Sequence, residues 1–292
     1  MFRISCFINK IYQFLRRITM FPPLIREIYR SGGVSTYKIV TLDSGASLSG
    51  KNILITGGAT GIGLAITKRC LAEGAHVLIT GRRGEKLVNV VNELNTPMLK
   101  TLVWDVSQVS KLFENLSTAL ELLDGRIDVL INNAGILNTI QFPYVTEEVW
   151  DNIYSVNSKG LFFLTQSLCD IWLKENKREV KKIINISSQG GFVGATYPYR
   201  LTKWDVAGLT QGLGIKLACK GIIVNGIAPG IVATDMQPEL LSRNDNIYCP
   251  HNPLKRYCLP EEIAELAVFL VSDLSNFIVG QTIVCDGGYS IK

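Results

Sequence analysis

Residues 52–63 read NILITGGATGIG and decide the fold. The first five residues are mostly apolar, which predicts a buried strand, and residues 62–73 have the spacing of an amphipathic helix. A glycine-rich loop connects the two. Clustered glycines allow close approach to the backbone, and the N–H groups at a helix N-terminus can bind a diphosphate. The stretch therefore predicts the first strand–loop–helix unit of a dinucleotide-binding sheet.

The rest of the chain continues this alternation of short apolar runs and longer amphipathic stretches. We expect strands at Asn52–Thr56, His76–Thr80, Thr101–Trp104, Val129–Asn132, Lys182–Ile186, Ile222–Gly226 and Thr282–Cys285. Helices are expected between them, including Ile62–Glu73, Glu147–Leu173 and Pro198–Lys220. Such alternation predicts an α/β fold, a doubly wound, Rossmann-type parallel sheet with helices on both faces. Residues 49–292 should form this single domain, and residues 1–48 an amphipathic extension and linker.

Charge is unevenly distributed along the 292-residue chain. Residues 1–48 hold seven Lys and Arg residues and two acids, which accounts for the whole net charge of +5 and leaves the remainder balanced. A neutral body argues against nucleic-acid binding, which needs a basic face. No apolar run reaches the ~18 residues of a membrane-spanning helix. Seven scattered cysteines without CxxC spacing, and only two histidines, indicate reduced thiols and no metal site.

The extension begins with a predicted basic amphipathic helix at residues 2–18, and Pro22-Pro23 follow it. One arc of this helix carries the apolar side chains Ile4, Phe7, Ile8, Ile11, Phe14, Leu15 and Ile18. Three interpretations compete: peripheral membrane contact through residues 1–30 with a cytoplasmic enzyme body, a mitochondrial-type transit peptide, or a helix that docks on a partner subunit. A short strand is also expected at Tyr37–Leu42.

Three motifs in a fixed order resemble those of the short-chain dehydrogenase/reductase family, 3-oxoacyl-carrier-protein reductases among them. They are TGxxxGxG at Thr56–Gly63, NNAG at Asn132–Gly135, and Tyr199-x-x-x-Lys203. The resemblance covers residues 49–292 and implies a hydride transfer between a nicotinamide cofactor and a carbonyl or secondary alcohol. It also implies the cofactor contacts, which are Gly57, Thr60, Gly61, Ile62, Gly63, Asp105, Val106, Asn133, Ala134, Gly135, Tyr199, Lys203, Pro229, Gly230, Val232 and Thr234.

The end of the second strand indicates which nicotinamide cofactor is bound. NAD-preferring enzymes place a carboxylate there for the ribose 2′-hydroxyl, but this chain has Gly81 followed by Arg82 and Arg83. Guanidinium groups suit the 2′-phosphate of NADP, which a carboxylate would repel. The sequence therefore favours NADP over NAD. For Asp105, which the resemblance assigns to the adenine, a helix N-cap is the structural alternative.

Tyr199 and Lys203 are four residues apart on a predicted helix, so they share one face. We expect the ammonium of Lys203 to lower the pKa of Tyr199, which would then act as general acid or base. Ser187 and Ser188 both end the preceding strand, and the family pattern selects Ser188 as the group that contacts the substrate carbonyl. The same pattern assigns Asn157 as the fourth catalytic residue, holding a water next to the lysine.

Two other functions compete with an NADP-dependent carbonyl reductase. One is a sugar-nucleotide epimerase or dehydratase, and the other is a non-catalytic, membrane-tethered nucleotide-binding protein. The segment between Thr234 and Pro260 should cover the substrate, and its mixed composition fits a lipid-like, polyketide or sugar-derived carbonyl. The resemblance further implies a homodimer or homotetramer formed through the helices expected at Glu147–Leu173 and Pro198–Lys220.

Overall fold

The computed structural model describes residues 46–175, 179–232, 234, 249 and 251–291. The helix predicted at residues 2–18, the strand predicted at Tyr37–Leu42 and most of the predicted substrate lid lie outside the described residues. Among the described helices, none is long and apolar enough to cross a membrane.

Seven parallel strands form one sheet in the order β3-β2-β1-β4-β5-β6-β7. The strands are β1 Asn52–Thr56, β2 His76–Gly81, β3 Leu99–Val103, β4 Val129–Asn132, β5 Lys181–Ile186, β6 Ile222–Pro229 and β7 Thr282–Cys285. The predicted fold class is therefore confirmed. The strand order runs outward in both directions from the neighbouring strands β1 and β4. The helices therefore lie in two layers, and the direction of strand addition switches between β1 and β4.

Four strand predictions had wrong bounds: β2 and β5 are each one residue longer than predicted, and two others differ by more. The strand predicted at Thr101–Trp104 is Leu99–Val103, because its ladder with β2 already begins where the buried Leu99 pairs with Val77. The sixth strand continues three residues past its predicted end to Pro229, because β7 pairs with this extension. The extension carries the backbone of β6 to the edge at which a doubly wound sheet binds its ligands.

Seven α-helices of the described residues cover the two faces of the sheet. They are α1 Gly61–Ala72, α2 Gly84–Leu94, α3 Leu112–Leu122, α4 Glu147–Tyr154, α5 Leu161–Glu175, α6 Pro198–Leu217 and α7 Pro260–Val271. Buried side chains of α1, α2 and α7, such as Ile66 and Ile263, pack on one face. Those of α3, α5 and α6, such as Leu116 and Leu164, pack on the other.

The helix predicted at Glu147–Leu173 is not continuous. A π-helical segment, Ser155–Gly160, separates α4 from α5. A β-carbon on Gly160 would come within 2.5 Å of the carbonyl oxygen of Val106, so the backbone of this segment lies directly against the loop after β3. One extra residue in a turn is a feature that the hydrophobic spacing does not reveal.

Candidate active site

The loop between β1 and α1 lies against the end of β4. Asn133 Nδ2 donates to the carbonyl oxygens of Thr56 and Gly57, at 3.0 and 2.9 Å. Thr56 Oγ1 in turn accepts from the backbone N–H groups of Asn133 and Ala134. A β-carbon on Gly63 would approach Gly57 O to 2.2 Å, and Gly57 has φ +67°. The loop therefore has to be built from glycine.

The first turn of α1 points its N–H groups at a cavity of about 420 Å³. Thr60 is the N-cap residue, and its side chain makes no capping hydrogen bond. The N–H groups of this turn are thus left for an anion, as in other diphosphate-binding loops. A backbone cradle that only glycines allow, at the mouth of this cavity, fits the diphosphate of a dinucleotide.

Three cations surround the end of β2, where the ribose of such a dinucleotide would lie. Arg82 and Arg83 are exposed and line the cavity together with Lys86, in the first turns of α2. No acidic residue from this strand end lines the cavity. The charge of this region fits a 2′-phosphate. Lys86 was not predicted as a site residue, although its position four residues after Arg82 is a signal that could have indicated it.

The loop after β3 supplies Asp105 and Val106, both of which line the cavity. Asp105 Oδ1 accepts from the backbone N–H and the hydroxyl of Ser107, at 3.0 and 2.7 Å. These bonds form a turn within the loop, so the alternative role of Asp105 as a helix N-cap is wrong. They orient the carboxylate in the cavity wall and leave its second oxygen able to accept from an amine.

The far end of the cavity is lined by the residues that follow β6. The N–H of Gly230 donates to Cys285 O, and a β-carbon on Gly230 would lie 2.8 Å from the Cα of Asp286. Thr234 packs against Gly61, its Cγ2 being 3.1 Å from a β-carbon built there. Cys285 and Asp286, at the end of β7, therefore support the backbone at this end of the cavity.

The helix α6 begins abruptly at Pro198 and brings Tyr199 and Lys203 into the cavity. Lys203 is buried, its Nζ donates to Ile186 O at 2.9 Å, and it lies 5.6 Å from the centre of the Tyr199 ring. Burial lowers the pKa of Lys203 to about 8. The short connection from Ser188 to Tyr199 is possible because proline provides the first helical turn.

The expected lowering of the Tyr199 pKa is wrong. Burial raises the pKa of Tyr199, the interaction of its hydroxyl with Ser188 opposes this rise, and Tyr197 adds to it. The ammonium of Lys203, 5.6 Å from the centre of the Tyr199 ring, does not outweigh the effect of burial.

The two neighbouring serines have different surroundings. Ser187 is buried, and its hydroxyl donates to the carbonyl oxygen of Lys203 at 2.8 Å, so it fixes α6 against the end of β5. Ser188 lines the cavity, its hydroxyl accepts from Gly190 N at 3.1 Å, and it interacts with Tyr199, whose pKa it lowers against the effect of burial. Ser188 is therefore the serine whose hydroxyl is beside the phenol.

Asn157 lies in the π-helical segment and is almost completely buried. Its Oδ1 accepts from Ile136 N at 2.9 Å, and its Nδ2 donates to Ile136 O at 3.0 Å and to Thr202 Oγ1 at 3.3 Å. The side chain thus joins the chain after β4 to α6, at the residue directly before Lys203. The structure places it behind the cavity wall rather than in it.

Most of the predicted site residues come together around this one cavity. Those that line it are Gly57, Thr60, Gly61, Ile62, Arg82, Arg83, Asp105, Val106, Asn133, Ala134, Gly135, Ser188, Tyr199, Lys203, Pro229, Gly230, Val232 and Thr234. Gly63 and Asn157 do not line it and instead support its walls. Gln189, Tyr197 and Arg200 line the cavity and were not predicted.

Comparison with known proteins gives a consistent result. The sequence model described as short chain dehydrogenase matches residues 51–245. Gluconate 5-dehydrogenase of Gluconobacter oxydans is 33% identical over 250 residues, which are 84% of this chain and 97% of that enzyme. The 3-oxoacyl-acyl-carrier-protein reductase FabG of Aquifex aeolicus is 36% identical over 248 residues, or 82% and 98% of the two chains.

Solved structures are similar over the same region. One is a gluconate 5-dehydrogenase from Burkholderia cenocepacia in complex with NADP and tartrate. It is 30% identical with a TM-score of 0.76, and the match covers 84% of this chain and 97% of that one.

Proposed function

The chain belongs to the short-chain dehydrogenase family and is an NADP-dependent oxidoreductase acting on a carbonyl or secondary alcohol, and we propose that Tyr199 is its general acid–base. The observation that carries this proposal is the position of the phenol. Tyr199 lies beside the Ser188 hydroxyl and above the Lys203 ammonium in the cavity that the glycine-rich loop opens into.

The cofactor-binding residues fit NADP along the whole cavity. The glycine loop and α1 would hold the diphosphate, Arg82, Arg83 and Lys86 would face the 2′-phosphate, and Asp105 would accept from the adenine amine. When bound, the nicotinamide ring supplies the hydride for reduction of a carbonyl or accepts it from an alcohol.

Each catalytic side chain then has a distinct task. The Ser188 hydroxyl donates to the substrate oxygen and stabilises the charge that develops on it. Tyr199 gives its proton to that oxygen in reduction and takes it back in oxidation. Lys203, positively charged and close to the ring, favours the phenolate during turnover and donates to ribose hydroxyls. Asn157 and Ser187 hold α6 in the register that these contacts require.

Replacing Tyr199 with Phe tests this assignment. The variant should lose ~10²–10⁴-fold in kcat for ketone reduction, because general acid catalysis typically contributes this much. NADPH affinity, measured by fluorescence titration, should stay within a few-fold of wild type. Tyr197→Phe is the matched control, because it removes a hydroxyl from the neighbouring ring, which stacks on Tyr199 with centroids 6.4 Å apart. This variant should retain turnover. Undiminished turnover in Tyr199→Phe would remove Tyr199 from the mechanism.

We further propose that the enzyme body is a homo-oligomer formed through α4, α5 and α6. Trp150, Phe162, Phe163 and Trp204 are between 36% and 49% exposed on these helices. Phe162 and Phe163 border an apolar depression between α5 and α6. Aromatic side chains concentrated on one surface are typical of interfaces between proteins.

For the extension we propose contact with an anionic membrane surface, with the enzyme body in the cytoplasm. The sequence supports this through the excess of basic residues in residues 1–48 and the apolar arc predicted within residues 2–18. Apolar burial of ~25 cal/mol per Å² would combine with attraction between basic side chains and anionic headgroups.

A further inference from the structure

Arg200 follows Tyr199 directly and lies in the first turn of α6. Its guanidinium carbon is 5.3 Å from the centre of the Tyr197 ring, and Nη1 donates to Gly194 O at 2.9 Å. The side chain also crosses Gly190, whose β-carbon, if present, would be 3.1 Å from Arg200 Cγ. Arg200 is therefore held at the wall of the cavity on the substrate side of the phenol.

No carboxylate of the described residues forms an ion pair with Arg200. Arg69, Arg126 and Arg256 all form ion pairs, whereas the ion pairs of the described residues do not include Arg200. Asp105 is the one acidic residue lining the cavity within the described part of the chain, and it follows β3 at the adenine end. A guanidinium has five N–H donors, and the hydrogen bond to Gly194 O uses only one of them, so an edge of the plane stays available.

Contact with Tyr197 restrains this side chain. A guanidinium within about 6 Å of an aromatic centroid is attracted to the face of the ring, and the Arg200 guanidinium carbon meets this condition at 5.3 Å from the Tyr197 ring. Tyr197 is itself nearly parallel to Tyr199, with 15° between the ring planes. The stack thus holds a planar, bidentate donor at a fixed position next to the catalytic phenol.

Gln189 provides a second, independent feature of the same wall. Its Oε1 atom is buried and has no hydrogen-bond partner, although the residue lines the cavity beside Ser188. A buried acceptor of this kind costs free energy unless a ligand donates to it. An anion-binding donor and an unsatisfied acceptor on one wall are complementary to a molecule that carries both a negative charge and a hydroxyl group.

We propose that Arg200 binds an anionic group of the substrate, a carboxylate or phosphate, and that Gln189 accepts from a hydroxyl of the same molecule. The substrate class is therefore an anionic, hydroxylated ketone or the corresponding alcohol. This inference rests on the proposed function, because it assumes that turnover takes place at Tyr199. Arg200 is a specificity residue in this proposal and takes no part in the proton transfer.

Matched ketones test the proposal with the full-length chain and NADPH. The panel contains levulinate and 5-oxohexanoate, their methyl esters, and dihydroxyacetone phosphate with dihydroxyacetone. Wild type should prefer the charged member of at least one pair. Arg200→Met should lower kcat/KM for that charged member by about ten- to a hundredfold, mostly through KM, because a hydrogen bond between charged groups contributes roughly 1.5–3 kcal/mol. It should leave the neutral partner within about twofold, since uniform binding alone is lost.

Two further variants separate charge from general damage. Arg200→Lys should retain part of the preference, because it keeps the charge without the bidentate fork. Lys216→Met removes a positive charge from the exposed last turn of the same helix, and it should leave kcat/KM unchanged for both the charged and the neutral ketone. The preferred pair identifies the anion as carboxylate or phosphate, and the KM of the charged member should rise with salt in wild type but not in Arg200→Met.

The possible failures are distinguishable. If wild type reduces both members of every pair with equal kcat/KM, or if Arg200→Met impairs both members equally, the role of Arg200 in anion binding is wrong while the proposed function stands. If no ketone in the panel supports NADPH oxidation by wild type, and none of the corresponding alcohols supports NADP reduction, the proposed function itself fails.

Discussion

Lys203 both packs in the interior of the fold and belongs to the proposed catalytic site. Its ammonium group is buried and donates to the end of β5, and its backbone carbonyl accepts from Ser187. Burial lowers the pKa of Lys203 to about 8 and raises that of Tyr199. The pKa values of the two groups therefore move apart, and a positive charge near the phenol has the largest effect where water is excluded.

Gly81 is the position at the same scale where we expect a substitution to change cofactor preference. A β-carbon there would meet only Leu87, at 3.8 Å and beyond, so an aspartate fits at the end of β2 without moving the backbone. The double variant Gly81→Asp/Arg82→Ala should shift the ratio of kcat/KM from NADPH toward NADH by about ten- to a hundredfold, since a carboxylate repels the 2′-phosphate and accepts from a 2′-hydroxyl. The measurement is a pair of steady-state titrations with each cofactor.

Gly81→Ala is the control for this change, because it fills the same space without charge. It should keep the preference of wild type. Equal use of NADPH and NADH by the unmodified protein would contradict the role given to Arg82 and Arg83.

At the scale of the element, the π-helical segment Ser155–Gly160 connects two parts of the site. It turns Asn157 toward Ile136 and α6, and it brings Gly160 against Val106 in the adenine loop. Gly160→Ala should destabilise the protein by ~1–3 kcal/mol, because the added methyl group would overlap the backbone of Val106. It should also weaken NADPH binding, because Val106 and Asp105 line the cavity.

Gly212→Ala is a control in a regular helix. A β-carbon at Gly212 in α6 meets nothing within 4 Å, and alanine is favoured over glycine in a helix by roughly 0.5–1 kcal/mol. Thermal unfolding should therefore show a lower Tm for Gly160→Ala and an equal or higher Tm for Gly212→Ala. A Gly160→Ala protein with unchanged Tm and unchanged NADPH affinity would show that the close contact at Val106 relaxes without cost.

The sequence predicted those elements whose structure depends mainly on residues close together in the chain. The glycine loop and the Tyr199–Lys203 spacing identify the first βα unit and the catalytic helix because each feature depends on neighbouring residues. The π-helical segment was not predicted, because it depends on how Gly160 meets a loop distant in sequence. The direction of the Tyr199 pKa was also missed, since burial by the whole fold outweighs the adjacent lysine. Arg200 was not predicted as a site residue. Its proposed role depends on the lack of an ion-pair partner among the described residues, which local sequence does not reveal.

At the scale of the whole molecule, two features remain outside the catalytic cavity. One is the exposed aromatic surface of α4, α5 and α6, which includes Phe162 and Phe163 in contact at 5.5 Å. The other is the basic composition of residues 1–48, set against a neutral remainder. Apolar surface favours association of like chains, whereas positive charge favours an anionic surface. These two features are the basis of our proposals that the enzyme body self-associates and that the extension contacts a membrane.

A pair of variants should separate these assignments. Deletion of residues 1–45 should leave kcat/KM and the sedimentation coefficient of the oligomeric body nearly unchanged, after correction for mass, but abolish flotation with anionic vesicles at low salt. Phe162→Glu/Phe163→Glu should lower the sedimentation coefficient, because buried carboxylates without partners oppose association by several kcal/mol. It should still float with anionic vesicles, because the extension stays intact. Phe113→Glu, which alters an 86% exposed side chain on α3, is the control and should behave as wild type in both assays.

If the intact protein does not float at low salt, the membrane assignment is wrong and the extension has to act in targeting or in subunit docking. If the double variant still sediments as the wild-type oligomer, the interface lies elsewhere on the body.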